Sequence, residues 1–307
     1  MKKIFIISCL ILAGLVAKAQ TTLLNALYLL QQKNYVAALD ICNTLLDESA
    51  ENSSVLGVRS QIYAAMGNND MAMEDAEKAL SIDNTSDRAL FAKAELFFMQ
   101  KDYSQALQYY ETAITVNANM AEAYAGKARV MVGMQNQKEA MNVVENALKK
   151  LSADSELYYM RGLLNYQRGK FKLAIEDYDR ALSNNANWNA YQIFLNRGIA
   201  NDALGKQDLA VQDFTRAIIA DPNATGGYIA RGNIQYNSAK YKEAAEDFKK
   251  AEVLNPDNAV VIYNIGMALF KDDDRSTACK YFQKACLLGN TNACKMIVLN
   301  CSDRKIN

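Results

Sequence analysis

The chain of 307 residues carries 34 basic and 34 acidic side chains, no histidine and two prolines. That charge balance argues against a nucleic-acid partner, which demands a basic face. The lack of histidine excludes histidine-dependent triads and histidine metal sites, and glycine-rich phosphate-binding fingerprints are missing from the sequence as well.

The first element is a leader. Lys2 and Lys3 precede an apolar run of thirteen residues, Ile4 to Val16, short of the roughly 20 that span a bilayer. Ala17-Lys18-Ala19 sets small side chains where signal peptidase reads, so residues 1–19 are expected to be a signal peptide and Gln20 the mature N-terminus. Ile6-Ile7-Ser8-Cys9 loosely fits a lipobox, but the apolar run continues past Cys9 and the better cleavage site lies downstream. Losing Lys2, Lys3 and Lys18 takes the 34 basic residues to 31 against 34 acidic ones, a net charge of −3. No second apolar stretch approaches membrane-spanning length. The expectation is an exported chain, periplasmic, envelope-bound or secreted, with no transmembrane segment after cleavage.

From there the chain repeats itself. Ala38, Ala72, Ala106, Ala140 and Ala174 are spaced 34 residues apart, and after one step of 36 the series continues as Ala210, Ala244 and Ala278. Seven residues behind each stands Leu45, Ala79, Ala113, Ala147, Ala181, Ala217, Ala251 or Ala285. Twelve residues ahead stands Ala26, Ser60, Ala94, Ala128, Gly162, Gly198, Gly232 or Gly266. Small residues in register line helix faces that admit a close neighbour. Gly67, Gly169 and Gly205 fall where a first helix must stop, and Gly suits a left-handed cap. Pro222 and Pro256 follow the end of a second helix. Each unit is therefore two antiparallel helices. The units are 19–52, 53–86, 87–120, 121–154, 155–188, 191–224, 225–258 and 259–292, with a capping helix and tail over 293–307. Asn189 and Ala190, after the single tryptophan Trp188, are a loop insertion.

The spacing, the small columns and Tyr228, Gly232, Ala244, Phe248, Ala251 and Pro256 resemble the tetratricopeptide repeat over residues 20–292. The resemblance implies an all-α, right-handed superhelical solenoid of about eight such units. It implies no single function, because the family serves many.

Two charged columns accompany the repeat. Arg59, Arg161, Arg197 and Arg231 occupy position 7, and the same four units carry Asp75, Asp177, Asp213 and Asp247 at position 23. Antiparallel helices set these positions opposite each other, which predicts structural salt bridges within each repeat. The other four units lack both residues. The Asp272-Asp273-Asp274 run reads as a solvated turn, since it lacks the alternating ligands and terminal Glu of a calcium loop.

Of the six cysteines, Cys9 leaves with the leader and Cys42 stands alone, a small apolar core residue. Cys279 and Cys286 are seven apart on one helix, about 10.5 Å of rise, beyond the ~7 Å reach of a disulfide. The same holds for Cys294 and Cys301. Residues equidistant from the Gly289-Asn290 turn face each other across antiparallel helices, which selects Cys279–Cys301 and Cys286–Cys294 over the crossed pairing. The segment from Lys284 through Cys294 also resembles the bridge of cysteine-rich Sel1-like repeat proteins, which supports the inner pair. A zinc site would need the four sulfurs at one point, and these fall in two rungs; export favours oxidation. No metal and no cofactor are expected.

The resemblance implies that first helices line a groove through positions 2, 5, 9, 12 and 13. These are Phe91, Glu95, Phe98 and Met99 in repeat three, Glu122 and Arg129 in repeat four, and Tyr159, Leu163 and Tyr166 in repeat five. Repeat seven gives Ile229, Asn233 and Tyr236, and repeat eight gives Tyr263, Met267 and Phe270. The surface is apolar and aromatic, and the Lys/Asn/Arg set with which some members clamp a C-terminal carboxylate is absent. The expected function is an exported, non-catalytic scaffold that binds a protein or peptide partner in this groove. The alternative is a structural subunit of a larger cell-envelope assembly with no free-peptide binding.

Overall fold

The computed structural model describes residues 22–185 and 188–301; the expected signal peptide lies outside them. Among the described residues there are seventeen helices and no strand. They fall into two compact units that part within one helix, between Leu164 and Asn165.

The first unit holds α1 (22–31), α2 (Tyr35–Glu48), α3 (Ser53–Ala65), α4 (Asn69–Ile82), α5 (Asp87–Met99), α6 (Tyr103–Val116), α7 (Ala121–Gly133), α8 (Gln137–Leu148) and most of α9 (Ser155–Gln167). The second holds the end of α9, then α10 (Phe171–Asn184), α11 (Ala190–Ala203), α12 (Gln207–Ala220), α13 (Thr225–Asn237), α14 (Tyr241–Leu254), α15 (Ala259–Lys271), α16 (Arg275–Leu287) and α17 (Thr291–Asn300). Odd-numbered helices are the first of each repeat and even-numbered ones the second. In the first unit α3 packs on α4 and α5; in the second α11 packs on α12 and α13. This is a helical-repeat solenoid.

The alanine columns are the core. Ala38, Ala72, Ala106, Ala140, Ala174, Ala210, Ala244 and Ala278 are all fully buried. So are Ala79, Ala113, Ala181, Ala217, Ala251 and Ala285, while Leu45 and Ala147 of that column are nearly so. The bulky residue between the columns fills the space the small residues leave. A Cβ on Gly232 would stand 2.8 Å from the Phe248 ring, so this position admits little beyond hydrogen.

The turn inside each repeat uses a left-handed residue at one fixed place. Gly67, Gly169 and Gly205 take it as expected, with φ of 83°, 71° and 72°; Lys33, Lys101, Gln135, Ala239 and Asp273 take it in the other five repeats, with φ of 58°, 62°, 61°, 59° and 64°. Backbone hydrogen bonds close the helix around it: the Ala239 N–H donates to the Tyr236 carbonyl (3.1 Å) and the Lys240 N–H to the Gln235 carbonyl (2.8 Å), a Schellman arrangement. The next residue often caps the second helix. Asn34, Asp102, Asn136 and Asp274 accept from backbone N–H groups with their side chains. The Asp272–Asp274 run is such a turn, with Asp273 left-handed and Asp274 accepting from the Thr277 N–H at 3.1 Å.

Candidate functional site

Three of the expected arginine–aspartate pairs are forked. Arg59 reaches Asp75 with Nε (2.7 Å) and Nη2 (2.8 Å), Arg231 reaches Asp247 at 2.8 and 2.7 Å, and Arg197 reaches Asp213 at 3.1 and 2.5 Å. The aspartates are buried, so the two parallel bonds replace the water they lose. Of the fourth pair, Asp177 is buried and accepts from Asn165 Nδ2 at 2.8 Å, while the Arg161 guanidinium lies 5.2 Å from the Tyr158 ring centroid.

The third nitrogen of each fork reaches backward into the preceding repeat, which sequence reasoning missed. Arg59 Nη1 donates to Asn43 (2.9 Å), Arg197 Nη1 to Asp179 (2.5 Å) and Arg231 Nη1 to Thr215 (3.0 Å). In two repeats without the fork, Lys93 reaches Glu77 (3.2 Å) and Lys127 reaches Glu111 (2.8 Å) at the same relative place.

The cysteines are joined as Cys279–Cys301, with Cα atoms 5.7 Å apart, and Cys286–Cys294, 4.9 Å apart. The two bonds tie α17 to α16. Cys42 is a buried free thiol that burial pushes up to about 12, which keeps it protonated and unreactive.

The first-helix face of the first unit differs from the expected open apolar surface. Phe91 is buried, edge-on to Tyr110 with ring centroids 5.9 Å apart, so it belongs to the packing and not to the face. The reason is the neighbour: Tyr110, also buried, fills the inter-helix space and takes the Phe91 ring as its partner. Glu95 accepts from Arg129 Nη2 and from the Tyr110 hydroxyl. The Arg129 guanidinium lies 5.4 Å from the Phe98 ring centroid. Arg88 pairs with Glu122 at 3.2 Å. Met99 is exposed, and Phe98, Tyr159 and Leu163 are half-buried. Glu156 holds on α9 the repeat position that Glu122 holds on α7, and its carboxyl is pushed up to about 8 by desolvation and by Glu122, against the pull of Arg129. Tyr166, beyond the unit boundary, packs its ring 5.2 Å from Phe171.

In the second unit the same face is apolar and holds a cavity of about 160 Å³ lined by Asn233, Tyr236, Phe248, Tyr263, Asn264 and Met267. Four of these were expected from the sequence; Phe248 and Asn264 were not. Phe248 is a second-helix core ring whose edge reaches through beside Gly232. Tyr236 is steadied by Tyr241, ring centroids 5.4 Å apart, and Tyr263 by Phe282 at 5.9 Å. Burial, followed by Tyr241 and Tyr263, raises the Tyr236 phenol, so it stays a neutral donor. Ile229 and Phe270 are half-buried on α13 and α15, the first helices that line the cavity. No charged side chain lines this cavity. A void near 150 Å³ holds one benzene ring, so the space matches one apolar side chain.

The fold and these faces define a helical-repeat scaffold, the class whose stacked helix pairs present a continuous binding surface. Tetratricopeptide-repeat profiles match residues 53–86, 97–164 and 159–225. The chain belongs to the tetratricopeptide repeat family, whose members generally mediate protein–protein interaction. It is 21% identical to a TPR repeat-containing protein of Methanocaldococcus jannaschii over 72% of this chain and 40% of that protein. It is 24% identical to the Hsp70-Hsp90 organizing protein of Triticum aestivum over 78% of this chain and 41% of that protein. The chain thus spans about two fifths of the length of these relatives. Among solved structures, a chain of the APC/C Cut9-Hcn1 hetero-tetramer superposes with a TM-score of 0.68 at 17% identity, covering 80% of this chain and 48% of that one. A tetratricopeptide repeat protein from Parabacteroides merdae gives 0.53 at 18% identity, covering 82% and 98%. At these identities the likeness is one of fold. Among the described residues no helix is long and apolar enough to cross a membrane.

Proposed function

We propose that this chain is an exported, non-catalytic scaffold that holds a protein or peptide partner on the first-helix faces of its repeats. One observation carries the reading: the uncharged cavity formed by Tyr236, Tyr263 and Met267 in the second unit. Aromatic rings beside a thioether favour an apolar or aromatic side chain, and a charged one would lose its water there without gaining a partner. Asn233 and Asn264 at the same cavity supply carboxamides for a partner's backbone. In the first unit the paired Glu95 and Arg129 make a polar neighbour to Phe98 and Met99, suited to the rim of a larger contact. Export follows from the leader read at residues 1–19.

Crosslinking and pull-down from envelope extracts, with Tyr236→Ala/Met267→Ala beside the parent protein, tests this reading. The double variant should lose its partner while helical circular dichroism is unchanged. Equal recovery of partners by both proteins would remove the cavity from the function.

A further inference from the structure

Helices α12, α14 and α16 each carry an exposed aliphatic side chain at one repeat position. Ile219, Val253 and Leu287 recur 34 residues apart at the last turn of the second helix in repeats six, seven and eight, and they are 74%, 76% and 89% exposed. Scattered exposed aliphatics need no explanation, but three in register on consecutive repeats mark one row along the second helices. Leu254 and Leu288, the next residue in repeats seven and eight, are exposed beside it. This row lies on the second helices, away from the first-helix face that carries the cavity.

Charge brackets the row in an ordered way. Three residues earlier, on the same side of each helix, stand Arg216, Lys250 and Lys284. Beyond the helix ends, in the turns between repeats, stand Asp221 and Asp257. Lys284 is drawn to Glu252 of the preceding repeat at 2.7 Å. Arg216 is 55% exposed with Asp213 at 3.8 Å, and Lys250 is exposed. Across repeats six and seven the order is basic, apolar, acidic, and repeat eight adds the apolar residue and its cation.

We infer that this row is the interface through which two copies of the chain pair, about a two-fold axis running along the row. Such an axis leaves the apolar row facing itself and exchanges the flanks, so the cations of each copy meet the aspartates of the other. A closed two-fold contact requires a self-complementary patch, and the basic–apolar–acidic order supplies one. An anionic bilayer fits less well, because Asp221 and Asp257 would be pressed against headgroups of their own sign. The rim charges fix orientation more than strength, and the aliphatics supply the desolvated centre.

Sedimentation equilibrium of the purified protein tests this. The parent protein should show a monomer–dimer equilibrium. Val253→Asp should raise the dimer dissociation constant by about tenfold or more, a shift of at least ~1.4 kcal/mol, with the helical spectrum unchanged; Ile219→Asp is the second probe should the first disturb folding. Lys250→Glu should weaken the dimer, and Lys250→Glu/Asp257→Lys should recover it. A monomer at every concentration, a dimer indifferent to both aspartate variants, or a double charge swap no better than the single one overturns the inference. So does row-dependent binding of monomeric protein to vesicles containing phosphatidylglycerol.

Discussion

Lys127 holds its ammonium 2.8 Å from the Glu111 carboxylate, and the contact crosses from the first helix of one repeat to the second helix of the repeat before it. The Arg231 guanidinium makes the same backward reach to Thr215 while also gripping Asp247. The two differ in what they leave behind when cut. Arg231→Met strands a buried aspartate and should cost about 3–5 kcal/mol. Lys127→Met releases Glu111, half in solvent at 52%, and should cost under about 1 kcal/mol. Chemical denaturation of both variants measures the contrast.

The left-handed turn residue makes a prediction of opposite sign. Ala239 sits at φ 59° and Gly205 at 72° in equivalent turns. An L-residue there costs roughly 1–2 kcal/mol, so Ala239→Gly should stabilise the protein by up to about 1 kcal/mol and Gly205→Ala should destabilise it by about as much. Melting temperatures moving in the same direction would contradict this.

Close packing at the small column is testable in one repeat. A Cβ at Gly232 would press on the Phe248 ring, so Gly232→Ala should cost about 1–3 kcal/mol. Phe248→Leu in the same chain should recover part of that loss, which thermal unfolding of the double variant would report.

Glu156 sets a pH dependence for the first unit. Its carboxyl is raised from 4.5 to about 8, so the folded protein holds a proton that the unfolded chain gives up. Stability from this group is present below about pH 4.5 and is lost as pH rises through about 8. Glu156→Gln should flatten stability against pH across that window, measured by denaturant midpoints in matched buffers.

Reduction should act locally. The Cys279–Cys301 and Cys286–Cys294 bonds close separations of 22 and 8 residues, each worth about 2–4 kcal/mol by the usual loop argument. Hydrogen exchange should quicken first in α17, because a solenoid unit leans only on its neighbours. In the oxidised folded protein, Cys42 should resist alkylation until denaturant is added.

Much of this was legible because it repeats in one residue type. The alanine and small-residue columns recur, so the helix pairs could be read directly, and Arg with Asp recur together, which revealed the fork. The left-handed turn was seen only at Gly67, Gly169 and Gly205, because Lys33, Lys101, Gln135, Ala239 and Asp273 adopt it without advertising it. The backward acceptor was hidden for a similar reason. Asn43, Glu77, Glu111, Asp179 and Thr215 share a place and a hydrogen-bonding role but no common side chain. Phe91 was assigned to an open face by position alone, and position cannot report that a neighbour such as Tyr110 will cover it.

The backward reach of Arg59, Lys93, Lys127, Arg197 and Arg231 means that the 34-residue unit counted along the sequence is not the unit that could be cut and moved. A cassette excised at the repeat boundary carries the cation and abandons its acceptor. The smallest transplantable piece runs instead from the second helix of one repeat through both helices of the next, as from α12 through α14, where Thr215, Arg231 and Asp247 travel together. Grafts, deletions and shuffled arrays joined in that frame should keep the seams between their helices.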